Sequence, residues 1–164
     1  MPLTFKTDKG RFTYRVAGIA LQTDHILLST EEHIDFWYLP GGRPEFGETL
    51  RSALKREMLE ELNADVEVGR LALVVENFFD GTNEKHHGIG FYFLMMLPEP
   101  LMDTNKIYGG LEYDLDAIGD REVLELRFRW FHLDELRHFD VRPKCLAKAL
   151  TNLSETTQHI VNVE

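Results

Sequence analysis

Three glutamates in one short segment have the types and spacing needed to bind a divalent cation. The segment from Glu48 to Leu62 contains neither Gly nor Pro, and its apolar residues at positions 50, 53, 54, 58 and 62 have the spacing of one helical face. Because a helix turns by about 100° per residue, positions 50, 54 and 58 fall at about 0°, 40° and 80°. Glu57 and Glu61 fall at about 340° and 20°, and Glu60 falls at about 280°. The carboxylates therefore lie within and beside the apolar stripe.

Crowded carboxylates on such a face repel one another and lose hydration, so they need nearby positive charge. Arg56 supplies part of it, and a divalent cation would contact several oxygens at once, which favours Mg²⁺ or Mn²⁺. Zinc has no comparable site, because Cys145 is the single cysteine and the adjacent His86 and His87 would point to opposite faces of a strand. The alternative interpretation is a solvated acidic helix with no metal.

Two glycines directly before this segment favour the metal interpretation. Gly41 and Gly42 allow a backbone path closed to other residues, and they can turn a carbonyl oxygen toward the glutamates. Glu48 lies near the predicted helix start, where negative charge is favourable. The glycines, the arginine and the glutamates thus form one candidate site.

The spacing of these residues resembles the Nudix box, the signature of the Nudix hydrolases. Gly42 is followed by five residues, Glu48, seven residues and then "REMLEE" at positions 56–61. The flanking "WYLPG" and "RWFHLDEL" also look like the family, so the resemblance runs from about residue 14 to residue 136. The chain departs from the pattern at Asn63, where the family usually has Gly, and at Ala64, where it has a larger aliphatic residue. Asn tolerates the left-handed conformation of a helix C-cap, so we expect the same helix end.

The resemblance implies a fold and an activity. The fold would be α/β, a Nudix-type α/β/α sandwich with a central mixed β-sheet. The activity would be Mg²⁺-dependent (or Mn²⁺-dependent) cleavage of the diphosphate linkage of a nucleoside diphosphate joined to another moiety. That class includes nucleoside triphosphates, oxidised nucleotides, nucleotide sugars and ADP-ribose. A non-hydrolytic Nudix-fold nucleotide sensor is the alternative, and the intact set of acids argues against it.

The resemblance also implies roles for single residues. Glu57 and Glu61 would be the principal metal ligands, with Glu60 a further one and the Gly41 carbonyl completing the set. Arg56 would hold the acids in place by charge-assisted hydrogen bonds. Glu48 would support the ligands from behind or bind an additional metal.

The general base and the substrate contacts are less constrained. Glu122 ranks first as the base and Glu112 second, because both lie in the acidic segment 98–122, which we interpret as a long loop over the site or a disordered one. Candidate phosphate contacts are Arg43 and Arg15, each alternatively an ordinary surface arginine. Candidate stacking residues for a base are Phe36, Trp37 and Phe79, each alternatively a core residue. Markers that distinguish subfamilies are absent at positions 79 and 81, so the substrate stays open.

The elements that must position this site are mostly strands. Strand composition is found in five segments, "FTYRVAGIAL", "HILLST", "RLALVVENFF", "HGIGFYFLMML" and "LELRFRWF". A sixth, "FWYLPGG", suggests a short aromatic strand. "HLDELRHF" and "RPKCLAKALTNL" suggest helices. We expect one domain over residues 1–164, with 154–164 a C-terminal tail.

Composition excludes several classes of protein. A net charge of −10 disfavours binding to nucleic acids. The longest apolar run, seven residues from position 91, falls far short of the roughly 20 that a membrane helix needs, and no signal peptide is apparent. A single cysteine fits a reducing compartment. We therefore expect a cytoplasmic enzyme for a small nucleotide, without a nucleic acid or membrane partner and with a homodimer possible.

Overall fold

The computed structural model of the chain is dominated by β-strands, as the β-branched and aromatic runs predict. The structure describes residues 2–81, 84–115 and 121–164, and the side chains at 113–115 and 121–122 are outside the description. The strands in these ranges are β1 (Thr4–Thr7), β2 (Gly10–Gln22), β3 (His25–Glu31), β4 (Gly41–Gly42), β5 (Glu67–Asp80), β6 (Lys85–Met96), β7 (Ile107–Leu115), β8 (Arg121–His132) and β9 (Gln158–Val163).

These strands form one mixed sheet in the order β7-β8-β3-β2-β6-β5-β9, with β1 and β4 paired to β2. The β2–β6 and β5–β9 pairs are parallel, and the other pairs are antiparallel. The sequence predicts a hairpin turn at residues 80–83 between β5 and β6. Their antiparallel register from Asp80 and Lys85 onward confirms the hairpin, and residues 82–83 lie outside the described residues. The predicted mixed sheet is confirmed.

The predicted central helix is confirmed as α1 (Leu50–Leu62). It begins after Thr49, whose hydroxyl accepts a hydrogen bond from the Ser52 amide. It ends at Asn63, which adopts the left-handed conformation with φ 51° and ψ 39°. The Asn63 amide donates to the Leu59 carbonyl at 3.0 Å, the hydrogen bond of an αL C-cap, and the Ala64 amide donates to the Met58 carbonyl at 3.1 Å. Asparagine therefore takes the role that glycine has in the family box.

Helices cover the two faces of the sheet. On one face α1 buries Ala53, Leu54 and Met58 in a core cluster with side chains of β2, β6 and β8. On the other face, a second cluster includes Leu136 of a 3₁₀ turn (Leu133–His138) and two leucines of α2 (Cys145–Leu150). The α/β sandwich expected from the resemblance is confirmed.

The interpretation of segment 98–122 as one long loop is wrong. It contains a 3₁₀ turn (Glu99–Leu101) and the whole of β7, whose backbone pairs with β8 from Ile107 to Leu115. Two adjacent glycines in an acidic stretch obscure the strand pattern. The pairing satisfies the backbone polar groups on the inner side of this edge strand, so residues 107–115 are part of the sheet.

The C-terminal tail predicted over 154–164 is also wrong in most of its length. Residues Gln158–Val163 form β9, which pairs in parallel with β5 from Leu73 to Phe78. The alternating apolar and polar residues of "QHIVNV" fit a strand with one covered face, and Ile160 packs against the second core cluster.

The segment "FWYLPGG" makes isolated contacts where a continuous strand was expected. Tyr38 pairs with Ser29 and Trp37 pairs with Val141, each as a single bridge, and the glycines form β4. In the described part of the chain, no helix is long and apolar enough to span a membrane.

Candidate active site

Glycines 41 and 42 bring the backbone of β4 against the carboxylate of Glu57. Gly41 has φ 142°, and a Cβ there would lie 2.2 Å from the Val16 carbonyl oxygen, so only glycine fits. A Cβ on Gly42 would lie 2.3 Å from the carboxylate carbon of Glu57. The absence of a side chain at Gly42 therefore creates the space that the Glu57 carboxylate occupies.

Arg56 connects three of the predicted glutamates through its fixed fork of donors. Its Nε and Nη2 donate to the two carboxylate oxygens of Glu48 at 3.0 and 2.9 Å. Its Nη1 donates to Glu57 at 2.9 Å and to Glu60 at 3.2 Å. The hydrogen bond from Arg56 lowers the pKa of Glu48. Arg56 thus positions these acids, in the way that a bidentate guanidinium permits and a lysine does not.

Glu61 is the most buried acid of the site, with 6% of its surface exposed. In the described part of the chain, its carboxylate receives no hydrogen bond and pairs with no cation at contact distance. Burial first, and then the charges of Glu112 and Glu57, raise the pKa of Glu61 well above its usual range. Burial also raises the pKa of Glu57, against the lowering effect of Arg56. The pair therefore lacks enough positive charge of its own.

Strand β7 reaches this pair because Gly110 packs directly on the C-terminal turn of α1. A Cβ at Gly110 would lie 2.2 Å from the Glu61 carbonyl oxygen, so a side chain there would push the strand away. Two residues later on the same face of the strand, Glu112 interacts electrostatically with Glu61. The close approach of β7 thus adds a fifth acid to the site.

These residues fit a hard divalent cation by their chemistry. Their donors are carboxylate oxygens, which Mg²⁺ and Mn²⁺ prefer, and Gly42 leaves the Glu57 carboxylate the room that a side chain would fill. Among the described residues, no three His, Cys, Asp or Glu side chains stand together as a preformed metal cluster. Arg56 hydrogen-bonds oxygens of Glu57 and Glu60 that a cation would contact, so binding requires these acids to turn.

Substituting Gly42 by alanine is expected to destabilise the protein by about 1–3 kcal/mol, the range for overpacking a filled site. The new methyl group would collide with the Glu57 carboxylate and separate it from Arg56. The free energy of unfolding in urea measures this effect. Gly109→Ala is the matched control, because no atom lies within 4 Å of a Cβ there. Equal stabilities for the two variants would contradict the packing argument.

A cleft of about 430 Å³ lies beside the acids, on the face of the sheet that carries the second core cluster. Its lining includes four of the predicted substrate-binding residues: Arg15, Arg43, Phe36 and Phe79. Arg15 lies over the Tyr38 ring at 5.2 Å and donates to the Leu39 carbonyl at 3.3 Å. Its charge offsets part of the rise that burial causes in the pKa of Glu57 and of Glu61. The cleft therefore has a cationic side next to the carboxylates and aromatic rings farther along.

One predicted stacking residue lies elsewhere, and one predicted base falls outside the described side chains. Trp37 packs edge-on against Phe131 at 4.7 Å in the second core cluster, so its ring serves the core and not the cleft. The side chain of Glu122 lies outside the described residues, while Glu112 lines the cleft.

Sequence reasoning missed several cleft residues, including Tyr38, Asn77 and Arg142. Arg142 stacks on Phe36 at 4.6 Å and forms a two-oxygen salt bridge with Asp140. In the sequence, the aromatic segment "FWYLP" at positions 36–40 was the available signal for this part of the cleft. Arg142 is far from it along the chain, and the bridge between Trp37 and Val141 brings the two segments together.

Comparison with known proteins gives a family for this arrangement. The family model described as the NUDIX domain matches residues 11–152. No protein of curated function matches the chain at a significant level.

Solved structures with the same fold span most of the chain. A NUDIX hydrolase from Nitrosomonas europaea is 21% identical with a TM-score of 0.56, over 92% of this chain and 78% of that one. An ADP-ribose pyrophosphatase from Streptococcus suis is 19% identical with a TM-score of 0.52, over 91% and 98%. A UDP-X diphosphatase is 20% identical with a TM-score of 0.57, over 90% and 66%. At these identities the likeness shows the fold alone.

Proposed function

Because the chain belongs to the Nudix family, whose hydrolases cleave phosphorus anhydrides, we propose that it is a Mg²⁺-dependent pyrophosphohydrolase of a nucleoside diphosphate derivative. The observation that carries this proposal is the buried pair Glu57 and Glu61, short of positive charge and adjacent to a cleft with arginines. A solvated acidic helix would not bury its acids. The burial of both side chains therefore argues against the interpretation without a metal.

The cation would be held by Glu57 and Glu61, with Glu60 and the Gly41 carbonyl as further ligands. When bound, a divalent ion supplies charge neutralisation at phosphoryl oxygens and acidifies a water molecule. Arg56 orients Glu57 and Glu60, and its hydrogen bonds to Glu48 fix the guanidinium in turn. Glu48 therefore acts as a support for the arginine in this proposal, and a second ion could bind there.

The general base in this proposal is Glu112. It lines the cleft and interacts with Glu61, so a water molecule attacking phosphorus would lie within its reach.

The substrate contacts in this proposal divide by chemistry. Arg15 and Arg43 attract the phosphate oxygens, because a guanidinium binds phosphate through paired donors. Phe36 and Phe79 provide ring faces on which a base can stack. ADP-ribose and UDP-linked compounds, the substrates in the names of two structural relatives, both fit this pattern of a base joined to a diphosphate.

The test is release of phosphate or mononucleotide from a substrate panel, with Mg²⁺ and with excess EDTA. The panel contains nucleoside triphosphates, oxidised nucleotides, nucleotide sugars, ADP-ribose and dinucleotides. We expect cleavage of at least one class with Mg²⁺, loss of nearly all of it in EDTA, and recovery when Mg²⁺ or Mn²⁺ is added. Activity that persists in EDTA would contradict the metal-dependent mechanism.

The second candidate function is a nucleotide sensor with the same fold. Tight binding of one nucleotide without cleavage of any would favour it. The complete set of box acids speaks for the enzyme, because a sensor has no need for metal ligands at its carboxylate face.

A further inference from the structure

A row of polar side chains crosses the floor of the cleft, at right angles to the strands. Thr13 of β2 pairs with Gly88 of β6, Gly88 pairs with Asn77 of β5, and Asn77 pairs with Asn162 of β9. Residues directly opposite in a sheet point to the same face, so these side chains belong to one surface. A Cβ on Gly88 would lie 2.8 Å from the Thr13 hydroxyl, so glycine keeps a gap open between the threonine and Asn77.

The direction of the hydrogen bonds along this row is determined by Glu164. An ionised carboxylate can only accept, so Asn162 must present its NH₂ group to Glu164 Oε1, at 2.8 Å. The same Nδ2 atom donates to Asn77 Oδ1 at 2.7 Å. The Lys144 amide donates to Glu164 Oε1 at 2.9 Å and holds the carboxylate in place. The amide of Asn77 is therefore locked with its oxygen toward Asn162.

This lock leaves the Nδ2 donors of Asn77 for the cleft. Asn77 lines the cleft, and no acceptor within the described part of the chain takes a hydrogen bond from its Nδ2. Phe79 lies two residues along the same strand, so its ring is on the same face at a spacing of about 7 Å. His86 stacks on one face of this ring at 4.5 Å, so a base would use the opposite face, toward the cleft. A flat ring that stacks on Phe79 therefore presents an edge to the Asn77 amide.

We propose that Asn77 determines which nucleobase the cleft accepts, by donating hydrogen bonds to an oxo group on the edge of a base stacked on Phe79. A donor favours bases with a carbonyl oxygen at that edge over those with an amino group there. Hypoxanthine and guanine are then preferred to adenine, and uracil to cytosine. This inference rests on the proposed function, since it assigns the substrate class of the same cleft.

The test measures binding and does not depend on turnover. Inosine and adenosine monophosphates are a matched pair, because they differ at one edge of the base and contain no anhydride to cleave. Titration calorimetry in Mg²⁺ is expected to give the wild-type protein on the order of tenfold tighter binding of inosine monophosphate. Uridine and cytidine monophosphates provide the same comparison for a smaller ring.

The informative variant is Asn77→Asp, which replaces the donor by an acceptor of the same shape. It keeps the hydrogen bond from Asn162, and we expect the preference to reverse toward adenosine and cytidine monophosphates. Asn152→Asp is the control, since it adds the same charge at an exposed position. The readout is the ratio of the dissociation constants of the two nucleotides in each pair. A general weakening of phosphate binding affects both nucleotides equally and cancels in this ratio.

A second variant tests the lock without changing Asn77, the residue that would contact the base; of its two positions, Glu164 lines the cleft. In the double variant Asn162→Asp/Glu164→Gln, the new amide at position 164 can accept from the Lys144 amide and donate to the new carboxylate at position 162. That carboxylate can only accept, so it takes its other hydrogen bond from Asn77. The Asn77 amide must then turn its oxygen to the cleft, and the preference should reverse as in Asn77→Asp. A purely structural role for Asn162 would change stability and leave the ratio as it is in the wild-type protein.

The outcomes separate this inference from the proposed function. If the ratio is the same in wild type and Asn77→Asp for both pairs, or if the wild-type protein binds none of the four nucleotides, the inference is overturned. If the ratio reverses while no panel substrate is cleaved, base recognition stands and the hydrolase proposal fails.

Discussion

Replacing Glu61 by glutamine is expected to lower kcat by on the order of 10³-fold while the fold persists. A metal ligand next to the reacting phosphate stabilises charge that develops in the transition state, and such stabilisation is worth several kcal/mol. Steady-state kinetics on the best panel substrate at saturating Mg²⁺ measures the loss. Glu135→Gln, an exposed acid far along the chain, should keep the activity of the wild type.

The same substitution should stabilise the metal-free protein by roughly 1–2 kcal/mol, the scale on which an unpaired buried polar group is penalised. The pKa of Glu61 is raised in the folded state above its ordinary value of 4.5. The folded wild type therefore binds more protons than the unfolded chain above pH 4.5, and its stability falls as pH rises toward the raised pKa. The advantage of the glutamine variant should be absent below about pH 4.5 and grow through that window.

Glu61→Asp separates the two effects. It keeps the buried charge but shortens its reach, so it should lose activity without gaining stability. Urea unfolding in EDTA at several pH values gives the stability of all three proteins. An active glutamine variant, or one destabilised at neutral pH, would contradict the role assigned to Glu61.

The buried carboxylates that lower stability and serve function are also the part of the site that could be predicted from sequence. The helix and its carboxylates follow from local spacing, because positions 50 to 62 fix which side chains share a face. Asn63 could be predicted as the C-cap for the same local reason, and the observed φ of 51° confirms it. Acids placed where apolar residues belong are a local conflict, and such conflicts concentrate at functional sites.

The features that escaped prediction depend on contacts between distant strands. The short strand β9 resembles a tail until its pairing with β5 is known. Likewise, Asn77 looks like an ordinary polar residue in a strand, and only the register with Asn162 reveals the locked amide. Trp37 is an aromatic residue that could stack on a base, but its segment pairs with Val141 and its ring packs against the second core cluster.

The position of the proposed general base is the clearest case, because it depends on one glycine. Glu112 and Glu122 are equivalent acids in the sequence, and sequence reasoning ranked Glu122 first. Only the contact of Gly110 with the carbonyl of Glu61 brings β7, and with it Glu112, beside the buried pair. This contact is the reason for proposing Glu112, the second of the two acids in the ranking from sequence.

Glu112→Gln is accordingly expected to lower kcat by about 10²- to 10⁴-fold, the usual contribution of a general base. Because Glu112 is not one of the proposed metal ligands, the affinity for Mn²⁺ measured by calorimetry should change only a few-fold. Glu122→Gln is the comparison that decides between the two acids.

A large loss of kcat in Glu122→Gln with normal turnover in Glu112→Gln would reverse the assignment. A loss of Mn²⁺ binding in Glu112→Gln would instead make that residue a ligand, because a base acts on the attacking water and leaves the cation site unchanged.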